Sequence, residues 1–192
     1  LDQCVWEKVC QLMQQWDKDG LEPVNISINV SRADVYNVNL VDTLLDLGKR
    51  YNIAPKRLHL EITESVYTES PEDIIQNVTR LREKGFVVEM DDFGSGYSSL
   101  NMLKDVKVDA LKLDRVFFES GDNDERGKDI IQSVIKLAQA LDLHTISEGV
   151  EERKQVEFLK EMHCDLIQGY VFAKPMPVPE FEQLAFGTEA AD

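Results

Sequence analysis

Phe86-Val87-Val88-Glu89-Met90-Asp91-Asp92-Phe93-Gly94-Ser95-Gly96-Tyr97-Ser98-Ser99-Leu100 runs from an apolar strand through an acidic pair into a glycine loop. The segment Phe86 to Met90 has the composition of a buried strand entered from Gly85. Two adjacent carboxylates where a strand stops cannot both face the core, and side by side they repel. Divalent cations between them would cancel that repulsion, because hard cations take oxygen ligands. Gly94 and Gly96 leave the loop backbone free to approach a ligand or to move. Taken alone, the stretch serves equally well as a strand end with solvated acids and a turn. The surrounding pattern decides between the two.

Strands and helices alternate along the rest of the chain. Residues 2–16 place Val5, Trp6, Val9, Leu12, Met13 and Trp16 at helical spacing, ending near Gly20. Strands are expected at 24–30, 58–63, 86–90, 110–114, 144–148 and 165–168. Helices are expected at 40–51, 98–104, 128–141 and 151–162. A further helix reaches about Lys84, with Ser70 as N-cap, Pro71 in the first turn and Glu72 and Asp73 matched to the dipole. A proline-punctuated segment at 174–179 leads to a short last helix, and 188–192 is expected to be a disordered tail.

Six strands, each followed by a helix or helical turn, argue for a parallel sheet. An open doubly wound sheet would carry a glycine-rich phosphate turn after its first strand, and Val30-Ser31-Arg32-Ala33 has none. Polar residues gather instead at the C-terminal ends of the strands: Asn29, Glu61, Asp91 with Asp92, Lys112 with Asp114, Glu148 and Gln168. A barrel of alternating strands and helices builds its active site there. The fold class expected is α/β, a barrel of alternating strands and helices in a single domain over 1–187.

Each position has a plainer reading. Asn29 lies in Ser27-Ile28-Asn29-Val30-Ser31, where a solvated sheet face would do. Glu61 lies in an apolar run, where an unpaired carboxylate is costly, so it needs a cation or an arginine. Lys112, between Leu111 and Leu113, has the same difficulty, and a structural ion pair to Asp114 or Asp91 would also resolve it. Glu148 precedes Gly149 and by itself reads as a loop acid. His59, His144 and His163 are assigned no chemistry, and Trp6 and Trp16 are read as packing residues of the first helix. The functional case rests on the coincidence of these sites.

Composition narrows the chemistry. The 192 residues are 43% hydrophobic and 30% charged, with a net charge of −15. A surface so acidic repels polyanions, which argues against binding a nucleic-acid polymer. A small phosphorylated substrate remains possible if metal ions neutralise the site. Cys4, Cys10 and Cys164 show no metal spacing and cannot all pair, as expected of reduced thiols in the cytoplasm. No apolar run approaches the roughly 18 residues of a membrane span, and no signal peptide is visible. The first residue is not Met, so upstream residues are expected to have been removed or left out.

From the first helix to Pro177 the chain resembles the EAL domains, the cyclic-di-GMP phosphodiesterases of bacterial signalling. The resemblance is carried by Ser27-Ile28-Asn29-Val30-Ser31, Leu60-Glu61-Ile62-Thr63-Glu64-Ser65, the loop Asp91 to Leu100, and Val108-Asp109-Ala110-Leu111-Lys112-Leu113-Asp114. It continues through Ser147-Glu148-Gly149-Val150-Glu151 and Gln168-Gly169-Tyr170-Val171-Phe172-Ala173-Lys174-Pro175-Met176-Pro177. It implies two ions, Mg2+ or Mn2+. Asn29, Glu61 and Asp91 would ligate one, and Asp91 would bridge to a second held by Asp92 and Glu148. It further implies that Lys112 orients and activates the attacking water, with Glu148 the candidate general base. Asp114, Glu151 and Gln168 would support the ligands or the substrate, and Glu64 would anchor the mobile loop from Phe93 to Ser99. The product would be linear pGpG, and a homodimer with an upstream sensory or cyclase module would be usual.

The chain departs from the family pattern in places. Ser95 stands for the usual Thr and Ser147 for the usual Ala. The Glu-Ala-Leu strand, with its metal-binding Glu and nearby Arg, has no counterpart here. The resemblance implies a (β/α)8 TIM-type barrel, so the chain is expected to begin after the second barrel strand and to lack the first two strands. A non-catalytic cyclic-di-GMP receptor that regulates a partner is the alternative, although such receptors usually lose carboxylates that this chain keeps. A generic metal-dependent sugar-phosphate barrel enzyme would not explain the ordered motifs.

Overall fold

A computed structural model describes residues 2–68, 71–94, 99–118 and 125–187. Six strands form one sheet: β1 (Ile26–Asn29), β2 (Leu58–Thr63), β3 (Val87–Phe93), β4 (Ala110–Leu113), β5 (His144–Ser147) and β6 (Leu166–Ile167). They lie in chain order, and every neighbouring pair is parallel. The helices are α1 (Asp2–Lys18), α2 (Arg32–Val35), α3 (Leu40–Tyr51), α4 (Pro71–Glu83), α5 (Ser99–Asp105), α6 (Glu125–Ala140), α7 (Arg153–Glu161) and α8 (Val178–Phe186). Parallel neighbours need a crossover between them, and the intervening helices supply it.

Strand periodicity sorts the two faces of the sheet. In β2, Leu58, Leu60 and Ile62 are buried, while His59, Glu61 and Thr63 between them are less so. The register sets Leu60 beside Val88 and Ile62 beside Met90, and Met90 beside Leu111, so one face is continuously apolar. Helices cover that face through residues three and four apart: Trp6, Cys10 and Met13 of α1, Leu40, Leu44 and Leu47 of α3, and Ile74, Val78 and Leu81 of α4. Each such side chain, fully buried, contributes about 1.5–3 kcal/mol. The opposite face carries Ser27, His59, Glu61, Glu89, Asp91 and Lys112, the polar lining expected of a barrel interior.

Several boundaries differ from the sequence reading. The strand expected at 24–30 shortens to β1. A four-residue helix, α2, follows it where none is expected; Ser31 caps it by accepting from the Asp34 N–H. β6 is only two residues long; at its start the Asp165 carboxylate accepts from the Thr145 N–H, and just past its end the Gln168 N–H still bonds the Ser147 carbonyl. α6 starts at Glu125 rather than 128. β3 does not stop at the acidic pair but runs through it to Phe93. Ser70, loop residues 95–98 and the tail at 188–192 lie outside the described residues. Among the described residues no helix is long and apolar enough to cross a membrane.

Candidate active site

β3 resolves the problem of its two adjacent aspartates by a bulge. Met90 stands opposite Leu111 and Phe93 opposite Leu113, so β3 spends three steps where β4 spends two. Asp92 absorbs the extra residue in the left-handed region, at φ 56°. Met90 and Phe93 both remain buried on the apolar face, at 0% and 3% exposure. Asp91 and Asp92 are thereby released together towards the strand ends. Bulges next to active sites commonly re-aim side chains in this way.

Lys112 stands at the centre of what they join. It is 4% exposed, and its Nζ lies 2.5 Å from Glu61, 2.7 Å from Glu148 and 3.0 Å from Asp91. β2, β3, β4 and the residue after β5 thus each send one charged group to a single point. Burial pushes the Glu61 and Glu148 carboxyls up, and although Lys112 opposes this, the neighbouring Asp91 adds to it. Asp92 is raised as well, first by burial, then by the Asp91 charge and a hydrogen bond with Asp114. Burial pulls the Lys112 ammonium down, but its bonds to Glu148 and Glu61 outweigh this and raise its pKa. One cation therefore serves several carboxylates in a largely dry site.

The remaining sequence-derived residues fall into place around this centre. Asn29 ends β1 in register with Glu61, with its side chain exposed and its carbonyl accepting from Trp6 Nε1 at 2.9 Å. Asp114 does not pair with Lys112; it accepts from the Val116 N–H at 2.7 Å and meets Asp92. Glu151 lies 3.4 Å from Arg115. Gln168 follows β6 with its side chain exposed. Glu64 is buried at the start of a 3-10 turn, Glu64–Thr68, that packs against β3 and α5 on either side of the loop after Phe93.

Sequence reasoning missed one network. Glu89, 2% exposed, takes Ser27 Oγ at 3.0 Å and His59 Nδ1 at 2.6 Å, so His59 is not a bystander. The available signal was spacing: Glu89 precedes Asp91 by two, and His59 precedes Glu61 by two, which puts both on the interior face.

Among the described residues no three acidic, His or Cys side chains form a ready-made cation cage. The donor set nonetheless fits divalent cations. It consists of hard oxygens, its negative charge exceeds the charge of Lys112, and Asp91 Oδ1 is buried without a hydrogen-bond partner. That oxygen lies near Lys112 but off a hydrogen-bonding direction. A buried acceptor left this way is costly unless something binds it.

A family model described as "EAL domain" matches residues 1–175. The chain belongs to the EAL domain family. It is 36% identical over 183 residues to the cyclic di-GMP phosphodiesterase NbdA of Pseudomonas aeruginosa, covering 95% of this chain and 23% of that protein. The chain thus spans about a quarter of that relative's length. The EAL domain of Mycobacterium smegmatis DcpA superposes with a TM-score of 0.91 at 32% identity, over 96% of this chain and 83% of that one. The PaMucR phosphodiesterase in complex with c-di-GMP superposes with a TM-score of 0.86 at 32% identity, over 93% and 72%. EAL domains are TIM-barrel-like and, as phosphodiesterases, metal-dependent in general, so the α/β fold expected from the strand rhythm is the fold found.

Proposed function

We propose that this EAL domain hydrolyses cyclic-di-GMP to linear pGpG as a single catalytic module in the cytoplasm. The observation that carries the reading is the convergence of Glu61, Asp91 and Glu148 on Lys112, with Asp91 Oδ1 left unsatisfied. Asn29, Glu61 and Asp91 would hold one Mg2+ or Mn2+, and Asp92 and Glu148 a second, with Asp91 shared. Two such cations polarise a phosphodiester and make water a nucleophile near neutral pH.

The chain's own groups do the rest. Glu148 would take a proton from the attacking water, and a carboxyl raised by burial is a better base for that task than a solvated one. Lys112 holds Glu61, Asp91 and Glu148 together and supplies a donor to orient that water. Asp114 braces Asp92, and Glu151 and Gln168 stand at the rim where the nucleotide would lie. Glu64 would anchor the loop after Phe93. Homodimer formation and an upstream sensory or cyclase module belong to the same proposal. Retention of every one of these groups favours hydrolysis over a non-catalytic receptor.

The test is Glu148→Gln in the full-length protein, with product followed by chromatography. Hydrolysis should fall about 10²–10⁴-fold, as for loss of a general base, while nucleotide binding persists. Turnover near the wild-type rate would overturn the assignment.

A further inference from the structure

The short turn after β4, Arg115–Phe118, touches both loops that bear the acidic residues. On one side the Phe117 ring rests on Gly94: a Cβ added there would lie 2.5 Å from ring Cε2. On the other side the Arg115 stem rests on Gly149, where a Cβ would meet its Cβ, Cγ and Cδ at 2.5, 3.0 and 3.1 Å. Both glycines hold positive φ, 101° and 65°, a conformation that strains any other residue. Gly94 follows Asp92 by two residues, and Gly149 directly follows Glu148. The turn itself is rooted in Asp114, whose carboxylate accepts from the Val116 N–H at 2.7 Å and whose carbonyl accepts from the Phe117 N–H at 3.2 Å. The guanidinium of Arg115 also reaches Glu151, on the far side of Gly149.

We infer that Arg115 and Phe117 are positioning residues: one crossbar that holds the Asp91 and Asp92 loop and the Glu148 loop at a fixed spacing across Lys112. Lys112 draws the acidic tips together, but their mutual repulsion pushes the backbones that carry them apart. Three and five residues beyond Lys112, in the turn after β4, Arg115 and Phe117 fix those backbones by filling the space the glycines leave. A drift of about 1 Å at reacting groups costs on the order of 100-fold in rate. The role in catalysis rests on the phosphodiesterase reading; the mechanical coupling does not.

Amide hydrogen exchange on the metal-free protein tests the coupling. Arg115→Ala removes the side chain that rests on Gly149, yet it should also speed exchange at 91–94. Phe117→Ala should in turn speed exchange at 148–150, each by about tenfold, with α3 and α4 unchanged as a control on folding. Arg115→Met and Phe117→Leu keep the packing bulk and should exchange as wild type. Acceleration confined to the loop each residue touches, or a Met variant as loose as the Ala variant, would overturn the crossbar. In hydrolysis assays Phe117→Ala should lower kcat about 10–100-fold with KM within about twofold. An unchanged kcat would remove the positioning role. If the wild-type protein failed to cleave cyclic-di-GMP, the phosphodiesterase reading would fall, and exchange alone would decide the crossbar.

Discussion

At the scale of single residues, the site is an ammonium surrounded by more negative charge than it can neutralise. Removing it should be severe: Lys112→Met leaves Glu61, Asp91 and Glu148 half-buried and uncompensated, at a cost of about 3 kcal/mol near neutral pH, the low end for a broken buried pair. The pH dependence has a definite sign. Glu61 and Glu148 have raised folded pKa values, so their stabilising contribution is fully present below the unfolded value of about 4.3 and fades as pH rises through the folded one. The Lys112→Met penalty should therefore shrink as pH falls from 7 towards 5, which urea unfolding at the two pH values would reveal. The pair Asp91→Asn with Asp92→Asn acts in the opposite direction. It should raise metal-free stability while erasing the increase in melting temperature that millimolar Mn2+ gives the wild type by mass action. A full Mn2+ shift in the double variant would refute the cluster.

At the scale of elements, β5 and the short β6 are latched by one side chain. Asp165 Oδ2 accepts from the Thr145 N–H at 2.7 Å and from Thr145 Oγ1 at 2.8 Å. Burial pushes the Asp165 carboxyl up, but the two Thr145 bonds outweigh it and hold the pKa below the ordinary value. That contribution is present above the unfolded pKa, about 3.9, and is lost as pH falls through the folded value. Asp165→Asn should cost about 1 kcal/mol at pH 7, the low end for bonds to a charged group, because solvent reaches 43% of the side chain. Unfolding midpoints of variant and wild type should converge as pH falls below the unfolded value and through the folded one. A constant gap across that range would assign the latch to shape rather than charge.

At the scale of the whole molecule, the first and last helices meet. Trp16 of α1 packs at 5.7 Å from Phe181 and 5.4 Å from Phe186 of α8, and its Nε1 donates to Glu182 at 2.6 Å. The sheet beneath them is not closed: β1 and β6 each have one strand neighbour among the described residues. Parallel strand edges are templates for further pairing. Leu166, Tyr170 and Phe172, in and after β6, are 59%, 55% and 62% exposed. Residues 1–192 produced alone should therefore self-associate, or capture a separately supplied strand-bearing segment. Light scattering that found a stable, monodisperse monomer would contradict this.

Local sequence determined the elements and the polar ends of the strands. The alternation of Leu58, Leu60 and Ile62 with His59, Glu61 and Thr63 has a period of two, and period is a property of neighbouring residues. The same logic exposed Glu61, Asp91, Lys112 and Glu148 as unlike their apolar flanks, while the family resemblance rested on six ordered motifs. Tertiary structure alone decided which of these groups meet. That Lys112 stands among Glu61, Asp91 and Glu148, that Glu89 engages His59, and that Phe117 and Arg115 rest on Gly94 and Gly149 all depend on the lateral register of separate strands. The bulge at Asp92 was equally hidden, because it is a mismatch between β3 and β4 and exists in neither strand alone. Register is set by how the apolar faces pack across the sheet, and no window of sequence contains both sides of that contact.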